Sequence, residues 1–149
     1  EYRRPAFTVD SIVLRRNANQ GYDLLLIQRK HPPFQGKWAF PGGFVDMDET
    51  AEDAVLRELE EETGLAGIPL DQLRTFSELD RAPRGRTVSV VFYGFTDANN
   101  DKVAGNDDAA DARWFPLDDL PELAFDHRKI IEYATGALKL DENPEAPAF

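Results

Sequence analysis

The sequence predicts an α+β layer structure, a sheet covered by helices, and three observations predict it. Runs rich in Val, Ile, Phe and Tyr read as strands on both sides of one helix. That helix carries a matched start and stop signal. A second helical segment follows the last strand, and neither an internal repeat nor a linker interrupts the chain.

Residues 7–14 (FTVDSIVL) and 24–28 (LLLIQ) read as strands, joined by the turn-rich Asn17-Ala18-Asn19-Gln20-Gly21. Trp38-Ala39-Phe40 reads as a short buried strand leading into Pro41-Gly42-Gly43, where paired glycines permit positive φ and close approach of backbone to a ligand. Thr50 with Asp53 three residues on resembles a capping box, and Gly64 supplies the helix stop. Residues 73–79 and the longer run 87–96 continue the strands. A loop over residues 98–108, rich in Asn, Asp and Gly, leads to a short strand at 112–115. Asp126 is expected to cap a second helix running to about Thr135, and residues 141–149, with Pro144 and Pro147, read as a loose tail. Residues 1–140 are then one domain.

Composition narrows the function. A chain of 149 residues fits one domain with a sizeable core, and 42% hydrophobic with 30% charged residues argues against disorder. No apolar run reaches the length of a membrane span, and Glu-Tyr-Arg-Arg-Pro at the start has no signal-peptide core behind it. The absence of Met there suggests a processing or cloning boundary. Zero cysteines remove disulfides, thiolate catalysis and Cys-ligated zinc, which fits a cytoplasmic protein. A net charge of −11 disfavours binding to a nucleic-acid backbone, so a small anionic substrate would be met by local cations and metal.

The most informative stretch is 43–65, GFVDMDETAEDAVLRELEEETGL. At about 100° per residue, Glu58, Glu61 and Glu62 continue the side of Ala51, Ala54 and Val55, while Asp53 and Glu60 point the other way. Three penalties coincide there. Glu58 and Glu62 are like charges at i,i+4, the last turn is acidic, and an adjoining core would desolvate the carboxylates. The first two cost roughly 0.2–1 kcal/mol each and an unpaired buried charge several more. A divalent cation removes all three, and carboxylates are hard oxygen ligands suited to Mg²⁺ or Mn²⁺, which keep waters and accept a substrate's phosphates. The alternative from the helix alone is a solvated acidic face.

The spacing matches Gly-x5-Glu-x7-Arg-Glu-(aliphatic)-x-Glu-Glu-x-Gly-(aliphatic) at Gly43, Glu49, Arg57, Glu58, Leu59, Glu61, Glu62, Gly64 and Leu65. In this the chain resembles the Nudix hydrolases, which cleave nucleoside diphosphates linked to another group. The resemblance implies an α/β/α sandwich around a mixed central sheet, with Glu58, Glu61 and Glu62 as metal ligands. It also implies that the Gly43 carbonyl completes a metal's shell, and that Glu49 and Arg57 support the motif rather than the chemistry. The general base comes either from the motif, as Glu61, or from a later loop, as Asp107 or Asp108. The latter two read equally as solvated turn residues.

A second segment, Arg81-Ala82-Pro83-Arg84-Gly85-Arg86-Thr87-Val88-Ser89-Val90, concentrates three arginines in an acidic chain. Arg81, Arg84 and Arg86 can fork onto phosphate oxygens or pair with surplus surface acids. The segment resembles the Arg-Asp-Pro-Arg-Gly-His-Thr-Val-Ser-Val stretch of ADP-ribose pyrophosphatases in the Nudix family. So do residues 30–38, Lys30 to Trp38 in sequence, and Leu123-Ala124-Phe125-Asp126-His127. One departure is Ala82, where those enzymes carry an acid, which would loosen or redirect specificity if that acid orients an arginine or a ribose hydroxyl. Phe34 and Trp38 can stack an adenine or belong to the core. His31 reads as a loop residue and His127 as a helix N-terminal residue that packs or hydrogen-bonds locally. Phe92 and Tyr93 point to opposite faces of one strand, so at most one lines a cleft.

The resemblance implies a Mg²⁺- or Mn²⁺-dependent enzyme that splits ADP-ribose into AMP and ribose 5-phosphate. One rival is an enzyme of the same class acting on nucleoside triphosphates or dinucleoside polyphosphates. Another is a non-catalytic domain that senses ADP-ribose-like ligands; an acidic tail, no basic recognition helix and an undamaged motif weigh against it. The resemblance also implies a homodimer, with residues 2–9 contributing to the partner's site, and no membrane or nucleic-acid partner.

Overall fold

The computed structural model describes residues 3–83, 85–97, 103–105 and 109–141. A run dominated by Val, Ile and Leu forms β1 (Ala6–Arg16), and its two edges are used differently. One edge pairs in parallel with β6 (Thr87–Thr96), from Ala6↔Thr87 to Arg15↔Thr96. The other edge is divided. Thr8, Val9 and Asp10 pair antiparallel with β4 (Gly42–Phe44), whereas Leu14, Arg15 and Arg16 pair with β2 (Tyr22–Arg29). β2 carries β3 (Trp38–Ala39) and β7 (Ala109–Pro116), and β5 (Asp71–Phe76) extends the sheet beyond β6. The sheet is therefore mixed, its long parallel pair flanked by antiparallel ones.

Alternation along β1 distributes the core to both faces of the sheet. Val9 and Val13 pack on the side of α1 (Ala51–Thr63), with Ala54, Val55 and Leu59. Ile12 and Leu14 pack on the side of α2 (His127–Ala137), with Ile130, Ile131 and Ala134. The result is the expected sandwich, α+β with one helix on each face. Each fully buried Val or Leu contributes roughly 1.5–3 kcal/mol. Among the described residues no helix is long and apolar enough to cross a membrane.

α1 starts and stops where the sequence places it. The Thr50 hydroxyl accepts the Asp53 N–H at 3.0 Å, and Gly64 takes φ 82° and donates its N–H to the Glu60 carbonyl. Three other expectations need correction. Residues 77–79 leave the sheet, so β5 ends at Phe76 with Leu79 exposed. β1, β2 and β7 outrun the apolar pattern because polar ends are tied across strands, as by Arg15 Nε on Asp23 Oδ2 at 3.0 Å. Asp126 stands at the start of α2 but its side chain makes no capping hydrogen bond. Its carboxylate takes the buried Arg81 guanidinium instead. Stranding that charge would cost several kcal/mol, against about 1 kcal/mol for a cap.

Candidate active site

The glycine pair is built into the sheet as β4, and neither glycine uses positive φ. What matters is the missing Cβ. A methyl group on Gly43 would lie 2.3 Å from Glu58 Oε2; one on Gly42 would lie 2.2 Å from the Val9 carbonyl oxygen and 2.3 Å from Asp10 Oδ1. The Gly42 N–H donates to Glu62 Oε1 at 2.8 Å, so the last turn of α1 is clamped onto the loop. Two of the three acids face inward as expected: Glu62 is 6% exposed, and the Glu58 side chain 15%. Glu61, with 43% of its side chain exposed, stands at the rim.

Arg57 organises this cluster. Its Nε and Nη2 fork onto the Glu49 carboxylate at 3.0 and 2.6 Å, Nη1 reaches Glu58 and Glu61 at 3.1 Å each, and Nη2 donates to the Phe44 carbonyl at 3.2 Å. Hydrogen bonds from Arg57, then from the Asp46 N–H, hold Glu49 down at about 2. Burial pushes Glu58 above the usual carboxylate range, opposed chiefly by Arg57. Among the described residues no three Asp, Glu or His side chains converge on one point, and Arg57 bridges Glu58 and Glu61 where a cation would. The donor set nevertheless fits a hard divalent ion: carboxylates on one end of a helix, one of them disfavoured as an anion by burial, beside a Gly43 backbone with no Cβ between.

Beside the acids opens a cavity of about 430 Å³. Of the residues expected at the site, Gly43, Glu62, Arg81 and Arg86 line it. Arg81 is largely committed within the protein: Nε and Nη2 hold Asp126 at 2.8 and 3.1 Å, and Nη1 bonds the Ser89 hydroxyl at 2.8 Å and the Phe76 and Thr87 carbonyls. Arg86 is exposed and reaches the Glu78 carbonyl at 3.4 Å. Arg84, Asp107 and Asp108 lie outside the described residues. Phe34 and Trp38 do not line the cavity; Phe34 packs edge-on against Phe125 at 4.9 Å, and Trp38 against Phe115 at 4.8 Å. Phe92 packs with Val9, Ala54 and Val55, Tyr93 packs against the opposite core, and neither reaches the cavity.

Several lining residues escaped sequence reasoning. Phe40, Phe44 and Phe125 supply aromatic surface. Arg29 sits over the Phe125 ring at 4.8 Å and donates to the Pro33 carbonyl at 2.7 Å. Asp10 is 8% exposed, and burial above all pushes its carboxyl up to about 7. His127 accepts the Phe40 N–H on Nδ1 at 3.1 Å and stacks on the Phe40 ring at 4.2 Å, and its burial drives it down to about 3. The signal for Asp10 was available: an acid at an even position of β1, where Ile12 and Leu14 turn inward.

Residues 5–134 match the family model described as NUDIX domain. The chain is 46% identical over 131 residues to an ADP-ribose pyrophosphatase of Methanocaldococcus jannaschii, spanning 88% of this chain and 73% of that protein. It is 31% identical over 144 residues to the ADPR responsive transcriptional repressor NtrR of Acinetobacter baylyi, spanning 93% of this chain and 56% of the repressor. Among solved structures, the NUDIX domain of Shewanella oneidensis NrtR complexed with ADP ribose superposes with TM-score 0.84 at 34% identity, covering 92% of this chain and 90% of that one.

Proposed function

The chain belongs to the Nudix hydrolase family, and from that premise we infer that it is a divalent-metal-dependent hydrolase splitting ADP-ribose into AMP and ribose 5-phosphate. The observation that carries the reading is Glu62, the last acid of the motif, clamped to the Gly42 N–H on the wall of a cavity that Arg29, Arg81 and Arg86 also line. Glu58, Glu61, Glu62 and the Gly43 carbonyl would hold Mg²⁺ or Mn²⁺, which when bound supplies charge neutralisation at the pyrophosphate and an acidified water. Glu49 and Arg57 orient those acids. Arg86 and Arg29 place positive charge on the cavity wall, where phosphate oxygens can meet it. Hydrolysis adds water across one P–O bond of the pyrophosphate, and its proton passes to Glu61, Asp107 or Asp108.

One observation favours a second reading, a domain that binds ADP-ribose without cleaving it: the likeness to NtrR and to an NrtR NUDIX domain complexed with ADP ribose. A substrate panel with Mg²⁺ and Mn²⁺, products identified by chromatography, separates the two. ADP-ribose is expected to dominate and to yield AMP, and Glu61→Gln to cut turnover by at least about a hundredfold without unfolding. Release of inorganic pyrophosphate from triphosphates would move the substrate reading. Ligand-raised melting temperature without turnover would make the domain a sensor.

A further inference from the structure

Among the described residues, two polar groups on the cavity wall, the Asp10 carboxylate and His127 Nε2, have no hydrogen-bond partner. Asp10 lies on the same face of β1 as Thr8, beside Gly42, and no described residue donates to its carboxylate. His127 Nε2 stands 3.9 Å from Oδ2, beyond hydrogen-bond reach. Because Nδ1 of His127 accepts the Phe40 N–H, the neutral ring carries its proton on Nε2, and that N–H also meets no acceptor. Neighbours that could serve are engaged elsewhere: Arg81 holds Asp126, and the Ser89 hydroxyl is shared between Arg81 and Thr8. Neither group is sealed in, since among the described residues no side-chain polar atom is both fully buried and unpartnered. Both residues line the cavity. An acceptor and a donor are thus left open, side by side, in a largely desolvated wall, where unmade hydrogen bonds are costly.

We propose that Asp10 and His127 together read the vicinal diol of a ribose, the hydroxyls donating to the Asp10 carboxylate and one of them accepting from Nε2–H. This rests on the reading of a ribose-containing diphosphate substrate. A phosphate is a poor partner for ionised Asp10, since its oxygens only accept and the carboxylate repels them. The position fits a sugar. Asp10 packs against Gly42, next to the loop that would meet the pyrophosphate, and the ribose is the group bonded directly to each phosphate of such a substrate. A base edge lies one sugar farther out. The pair would therefore set specificity, not perform the hydrolysis.

ADP-ribose carries two riboses, and analogues distinguish them. Binding by calorimetry and kcat/KM, both with Mg²⁺, would be measured for ADP-ribose, for its analogues deoxygenated on the adenosine ribose and on the distal ribose, and for the hypoxanthine analogue. Wild type and Asp10→Asn are compared, with Asp10→Ser as a second variant should the first be poorly folded. Wild type is expected to favour ADP-ribose over one deoxy analogue by about tenfold or more, and the variant by no more than about threefold, through loss on ADP-ribose alone. The analogue that loses discrimination names the ribose. Unchanged ratios for both deoxy analogues would overturn the proposal, as would an Asp10-dependent loss of discrimination confined to the hypoxanthine analogue, which would assign the pair to the base. Discrimination in binding without any turnover would sink the hydrolase reading and leave the diol pair standing, whereas binding of none of the ligands would end both.

Discussion

At the scale of single residues, Asp10 carries the cost that its position imposes. Burial pushes its carboxyl up to about 7, Arg81 pulls it back, and Asp126 and Glu58 add to the rise. The folded state therefore holds this proton more tightly than the unfolded chain does. The associated stability is complete below the ordinary carboxylate range, near 4, and is lost as pH climbs through about 7. Asp10→Asn removes that slope. Thermal melts at pH 5 and pH 8 should show the variant gaining on wild type at the higher pH, by on the order of 1–4 kcal/mol, and an equal offset at both would contradict the sign. Glu49 behaves oppositely, held down at about 2 by Arg57. The sequence made Glu49 and Arg57 readable through motif spacing; Asp10 was missed although strand alternation puts it on the side of Ile12 and Leu14, because one acid inside an otherwise apolar strand is read as a residue facing solvent.

At the scale of elements, α1 was legible because its limits are written in side chains: the Thr50 hydroxyl cap and the left-handed Gly64. β4 was not, since Gly42-Gly43 signals a turn by composition while its strand geometry is imposed by Thr8, Val9 and Asp10 of β1. Tertiary pairing decided there, and propensity did not. The same tertiary competition took Asp126 from its cap. The closeness of Gly43 to Glu58 gives this element a specific vulnerability. In Gly43→Ala the new methyl would meet the Glu58 carboxylate at 2.3 Å, and the flexible end of that side chain, rather than the backbone, would yield. The variant should keep its fold and its melting temperature within a few degrees, while needing at least about tenfold more Mg²⁺ for half-maximal turnover, a titration that wild-type behaviour would refute.

At the scale of the whole molecule, the Arg81–Asp126 pair ties the segment between β5 and β6 to the start of α2 across the cavity. With the Arg81 side chain 6% exposed, removing one partner strands a desolvated charge. Asp126→Ala should lower the urea midpoint by the equivalent of about 3–5 kcal/mol, and Arg81→Met with Asp126→Leu should recover part of it. Little change in the single variant would mean that water replaces the lost partner. The sandwich itself was legible, in strand and helix order and in the motif that places α1 beside the glycine loop. The path of the sheet was not, because nothing local in residues 6–16 announces a partner so distant. Thr8 and Ser89 touch through their hydroxyls although 81 positions separate them. That long parallel pairing is a topological debt of the fold: contact order is high at its centre, so closure is entropically late. A chain emerging from the ribosome would expose the glycine segment and the acid helix well before β6 arrives to lock β1 in place, and the cavity wall, drawn from both ends of the sequence, would be among the last surfaces to exist.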